Sequence, residues 1–184
     1  AGTPDIAGAI GLAAACDYIN QFDRDVMSRY EQALLTACTA SMESIPGVMR
    51  AYPLVISGAS ARFQNGKTFG ILLIGSQSPG FHGGPWNLVT GKNEDMIPEG
   101  AIITEYFDKN NLGNAEIGDY FEVNGKKVYV AGQTRGVRSF GGVYTFTTLE
   151  RVRSLTGFSK SKVSAFLVAH SSSHSTAQVV NAIN

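Results

Sequence analysis

The sequence predicts a mixed α/β (α+β) domain, and three observations carry that expectation. Two Asn-Gly pairs, Asn65-Gly66 and Asn124-Gly125, each sit between short alternating runs. Residues 71–74 form an unbroken apolar stretch. Helical-period runs alternate with these strand-like segments. Asn-Gly suits a two-residue hairpin because both central positions need positive φ, which these residues tolerate. Hairpins mixed with strand-helix alternation point away from a purely doubly wound sheet.

Composition narrows the class before any motif is considered. The chain has 184 residues, enough for one domain with a real core. It is 43% hydrophobic and only 16% charged, the opposite of a disordered chain. Fifteen basic and fifteen acidic residues give zero net charge with no basic block. Nucleic acid is therefore not an expected partner. The longest apolar stretch near the start, residues 6–16, is short and broken by Gly8 and Gly11. It is too short to span a bilayer and lacks the basic flank of a signal peptide. The chain is expected to be soluble as it stands and to be a piece of something larger. Cys16 and Cys38 make no metal or C-x-x-C motif. They are read as small buried side chains on helical segments, with a Cys16–Cys38 bridge as the alternative.

Along the chain, residues 1–27 are poorly patterned. Ser28 and Glu31 then form an S-x-x-E capping box, followed by Tyr30, Leu34, Ala37, Cys38 and Met42 at helical spacing. Pro46-Gly47 ends that helix. Residues 52–63 and 68–76 make a hairpin about Asn65-Gly66, with 71–74 buried on both faces. Residues 77–93, rich in Gly, Pro and Ser, read as a long loop of the kind that often carries function. A strand at 101–104, a helix over 105–112 and the hairpin about Asn124-Gly125 follow. A strand at 143–146, a helix over 148–155 capped by Thr147 or Thr148, a strand at 162–169 and a last helix at 174–183 complete the reading.

Chemistry is hard to find. His170 and His174 have i, i+4 spacing, with His82 as a third nitrogen, but three serines intervene where a metalloprotease helix carries Glu. Neither G-x-S-x-G, G-x-G-x-x-G nor a P-loop occurs. No cofactor and no catalytic residue is expected. A contact surface is the better candidate: Phe81 and Trp86 lie among glycines, and Phe140 lies beside Gly141-Gly142 with Arg135 and Arg138 nearby. Aromatic and Arg side chains dominate binding hot spots. The alternative is that Phe81 and Trp86 fold back as a local core beneath the loop.

Four segments, in order, resemble one family: IPGVMRAYPL (45–54), FGILLIGSQ (69–77), EGAIITEYFDKNNLGNAEIGDYFEVNGKKVYVAGQTRG (99–136) and RSFGGVYTFTTLERVRSL (138–155). Together they are similar to the periplasmic core domain of MacB-like and FtsX-like ABC transporter permeases, most of all the DevC-type exporters. The resemblance covers residues 28–184. It implies a single extracytoplasmic domain of two lobes: a porter-like lobe (28–80 with 146–184) and a smaller inserted β-rich lobe (86–145). It also implies insertion between two membrane helices of a permease, with ATP hydrolysis in a separate ATP-binding subunit. A periplasmic adaptor (membrane fusion) protein and a second permease copy are the implied partners, at the outer face of the bacterial inner membrane. Phe81, Trp86, Arg138 and Phe140 are the expected partner-binding residues. Two rival readings are a metal-dependent periplasmic hydrolase using His82, His170 and His174, and a ligand-sensing extracytoplasmic domain of a receptor.

Overall fold

The computed structural model describes residues 5–137 and 142–183. Two helices open the chain, α1 (Ile6–Asn20) and α2 (Arg24–Glu43). Each starts on an aspartate. Asp5 Oδ1 accepts the Gly8 N–H at 2.9 Å, and Asp23 Oδ1 accepts those of Asp25 and Val26 at 2.9 and 3.1 Å. The predicted capping box at Ser28 is thus inside a helix that begins four residues earlier. Glu31 does not reach back to a cap. Its carboxylate accepts from the Ser161 hydroxyl at 2.6 Å and pairs with Lys162 Nζ at 3.2 Å. Cys16 and Cys38 are free thiols on exposed positions, correcting the expectation of buried side chains.

Among the described residues eight strands follow: β1 (Val48–Arg62), β2 (Thr68–Ser76), β3 (Leu88–Thr90), β4 (Ala101–Glu105), β5 (Tyr120–Val123), β6 (Lys126–Thr134), β7 (Val143–Thr148) and β8 (Ala165–His170). Helices α3 (Leu149–Thr156) and α4 (Thr176–Ile183) flank β8. The strands are hydrogen-bonded in the order β2-β7-β4-β6-β5-β1-β8, with β3 against β6. The additional β1–β2 hairpin pairing closes a circle of six strands. The long β1 makes this possible, since residues 48–54 pair with β8 and residues 55–62 with β2. At its end Ala61 and Arg62 also meet Val123 and Glu122 of β5. Asn124 secures this seam: its N–H donates to the Ser60 carbonyl, and its Oδ1 accepts the Ser60 N–H, both at 2.9 Å. Its φ of 47° followed by Gly125 at 79° is the conformation the Asn-Gly hairpin calls for.

Alternation along the strands splits the interior in two. Ile71 and Leu73 of β2, Ile102 of β4, Val128 and Val130 of β6 and Val143 of β7 enter one cluster with Leu149, Val152 and Leu155 of α3. Their neighbours Ile74, Ile103 and Phe146 point the other way and build a second cluster with Phe81, Met96 and Val137. Residues 71–74 are therefore shared between two cores, which is why they carry no polar face. The mixed architecture matches the α+β expectation.

One predicted element is replaced. The segment after β4 is a chain of turns rather than a helix over 105–112. Glu105 belongs to the strand, and Gly113 and Asn114 take φ of 64° and 61°. Asp108, Asn110 and Asn111 favour such turns because their side chains compete for local backbone bonds.

Candidate functional site

The loop of residues 77–87 organises the surface that the sequence singles out; the expected loop over 77–93 is cut short by β3, which pairs with β6. Phe81 is only 3% exposed, and its ring packs in the second cluster with Ile74, Ile103 and Phe146. Its φ of 46° is unusual for a bulky side chain and is held by the hydrogen bonds Phe81 N–H to Gln77 O (2.9 Å) and Gly84 N–H to Phe81 O (2.8 Å). Gly84 is required there, because a Cβ would lie 2.7 Å from the Phe81 carbonyl. Trp86, five residues on, is 49% exposed. Its inner edge meets Phe146 at 5.5 Å and Tyr144 at 6.4 Å between ring centroids, both edge-to-face. Phe81 is thus an anchor and Trp86 a half-open face. Arg138 and Phe140 lie outside the described residues.

Beside Trp86 the structure gathers residues that sequence reasoning did not single out together. Asn87 O accepts the Arg135 N–H at 3.0 Å, and Thr134 O accepts the Tyr106 N–H at 2.9 Å. The Arg135 guanidinium lies 4.9 Å from the Phe107 ring and 5.9 Å from that of Tyr106. Tyr106 and Phe107 fell in the segment misread as a helix, where no aromatic pattern flagged them.

On its other side the same loop borders a groove of about 1420 Å³ between α2 and α3, floored by β1 and β8. His82 stacks on Tyr52 there, with centroids 3.7 Å apart. Arg50 and Glu43 form a loose pair at 3.8 Å. Arg153 donates to the Lys162 carbonyl at 3.0 Å, and burial holds its guanidinium below the usual arginine value. The remaining histidines are used locally. His170 Nε2 meets Thr176 Oγ1 at 3.1 Å, and His174 Nδ1 meets Ser173 Oγ at 3.0 Å. Among the described residues no three side chains of metal-ligating type converge. Nor is any helix of the described residues long and apolar enough to cross a membrane.

Comparison with known proteins gives two different answers. The fold is similar to the extracellular domain of the noncanonic ABC-type transporter YknZ from Gram-positive bacteria, with TM-score 0.55 over 79% of this chain and 76% of that one at 16% identity. It is also similar to the periplasmic region of MacB from Actinobacillus actinomycetemcomitans, with TM-score 0.60 over 80% and 70% at 13% identity. The family model for aminotransferase class V matches residues 1–58. A cysteine desulfurase of Enterobacter sp. (strain 638) is 39% identical over 67 residues, 36% of this chain. The chain spans 16% of that relative's length. The residues matched by the class-V model include 45–54, one of the four segments that resemble the permeases. They cover α1, α2 and the start of β1, yet the buried core residues within them, Ala51, Leu54 and Val55, all belong to β1. Every described side chain of α1 is exposed, and α2 buries none. The class-V match thus falls mainly on the two helices, whereas the fold likeness extends over about four fifths of the chain.

Proposed function

We propose that this chain is an extracytoplasmic domain of an ABC-type export permease of the DevC kind, without catalytic activity of its own. Its role is to pass ATP-driven motion to a periplasmic adaptor protein or to captured substrate. The observation that carries the reading is the likeness of the fold to the extracellular domain of the ABC-type transporter YknZ and to the periplasmic region of MacB. The order of the four permease-like segments supports it from the sequence side. In this reading an ATP-binding subunit and a second permease copy complete the machine, and residues 86–145 form the inserted lobe. The rim around Trp86, continued by Arg138 and Phe140, is the contact surface. Motion of this kind needs two states that the ATPase biases unequally, and an exposed aromatic rim on a rigid body is suited to report such a change to a partner.

Two measurements test it. Cys16 and Cys38 are both exposed, so a membrane-impermeant maleimide should label them in intact spheroplasts expressing the whole protein. Labelling only after lysis overturns the extracytoplasmic location. Replacing Trp86 and Phe140 with Ala in the full transporter should abolish export and adaptor binding while the fold survives. Unchanged export would remove those residues from the contact surface.

A further inference from the structure

At the C-terminal end of β4, Glu105 is fully buried and accepts two backbone hydrogen bonds from different loops. Its Oε1 takes the Gly136 N–H at 2.6 Å, and its Oε2 takes the Asp108 N–H at 2.9 Å. With the Tyr106–Thr134 and Arg135–Asn87 main-chain bonds, this carboxylate binds three loop segments side by side. They are the residues after Trp86, the turn at 106–108 and the bend at 135–136. Held this way, the Phe107 ring, 46% exposed, supports the Arg135 guanidinium.

Arg135 is the unusual cation of this region. Among the described residues the ion pairs are Arg50–Glu43, Lys109–Glu116 and Lys162–Glu31, and Arg135 is in none of them. Neighbouring carboxylates are already engaged: Glu105 in its two backbone bonds, Glu116 with Lys109, and Asp108 in a contact of its own. A guanidinium seated on an aromatic face keeps its N–H edges for an in-plane acceptor, and a carboxylate fits that fork in bidentate fashion. Around it Trp86, Val89 and Phe107 expose apolar surface. The charge and the apolar rim together select an occupant with a carboxylate next to an apolar side chain.

We propose that Arg135, seated on Phe107 and Tyr106, docks a carboxylate of a partner protein, with an apolar partner side chain covering Phe107. Glu105 is a positioning residue: it holds the two loops so that ring and guanidinium meet. This inference rests on the reading of the chain as a partner-coupling domain.

The test places the photo-crosslinker p-benzoylphenylalanine at position 107 of the full-length transporter in its own cells. The expected product is an adduct with a different protein, whose cross-linked peptide contains Asp or Glu beside an apolar residue. Arg135→Glu should lower the yield about tenfold or more, and Arg135→Lys should lower it by less, because it keeps the charge but loses the planar fork and its seat on Phe107. Reversing the partner's acid to Arg should restore the yield against Arg135→Glu. Glu105→Gln replaces one acceptor oxygen with a donor and should lower the yield without changing the exposed charge. If Glu105→Gln does not fold, the surface variants at Arg135 decide alone. An adduct with lipid or a second copy, no protein adduct, or a yield indifferent to Arg135→Glu would overturn the proposal. If export still fails in the Trp86 variant while Arg135→Glu leaves the yield unchanged, the permease reading stands and this one falls.

Discussion

At the scale of single residues, Arg151 is the most consequential side chain outside the candidate surface. Its Nη1 donates to the Met96 and Ala101 carbonyls at 2.5 and 2.9 Å and to Thr147 Oγ1 at 3.2 Å, and its Nη2 donates to the Ile97 carbonyl at 3.2 Å. Burial lowers its pKa, against the opposing charges of Tyr129, Glu99 and Glu150. Arg151→Ala leaves the Met96 and Ile97 carbonyls without this donor, while the Ala101 carbonyl keeps the Thr147 hydroxyl at 3.0 Å, and urea unfolding should show a loss of about 2–4 kcal/mol. A loss below about 0.5 kcal/mol would mean that water replaces the guanidinium at no cost. Glu31 gives a pH-dependent counterpart. The Ser161 hydroxyl first, and then Lys162, hold its carboxyl below the usual value. Its contribution is therefore present above the unfolded pKa and is lost as pH falls through the folded one. Thermal unfolding of Glu31→Gln should differ from the parent at neutral pH, and the difference should shrink as pH falls below the ordinary glutamate value. A difference that persists in acid would show that the contact acts through packing rather than charge.

At the scale of elements, most of the strands were legible in the chain, but β3, inside residues 77–93 read as a loop, and the helical start were not. Asn124-Gly125 and residues 71–74 each reflect a local constraint that nothing distant overrides: two positive φ angles, or two apolar faces. Asn65-Gly66 also lies in a hairpin, but there only Gly66 takes a positive φ, of 78°. Thr148 likewise caps α3 as expected, its Oγ1 accepting the Arg151 N–H at 3.3 Å. Helix α1 was missed because its residues are apolar or small on every side, which leaves no periodicity to detect. The turn chain at 105–114 was misread because its decisive interaction, the Glu105 carboxylate with Gly136, spans 31 residues. No local rule contains that contact. The Trp86 part of the surface was visible as an aromatic in a glycine-rich loop. The Arg135–Phe107 pairing was not, because it depends on the same distant bond. Phe81→Ala removes the ring that joins the long loop to β2, β4 and β7 and should cost about 3–5 kcal/mol in chemical denaturation. Truncation before Asp23 removes a helix whose described side chains are all exposed, and should shift the unfolding free energy by less than about 1 kcal/mol.

At the scale of the molecule, closure of the six-strand circle has thermodynamic content. A closed sheet removes the edges between its first and last members, so the strands before and after the long loop share one hydrogen-bonded ladder. Unfolding followed by tryptophan fluorescence, which reports Trp86, and by far-ultraviolet dichroism should give one coincident transition. Separate midpoints would show that the segments on the two sides of the circle fold independently.

The seating of Phe81 has one more consequence, which is mechanical. A loop with slack absorbs a pull, whereas this one is nailed down by a ring set among Ile74, Ile103 and Phe146. Only four residues separate that nail from Trp86, whose own edge rests on Phe146. A load applied to the indole is therefore delivered to three strands almost without give. The rim behaves as the short arm of a stiff lever whose fulcrum lies inside the protein.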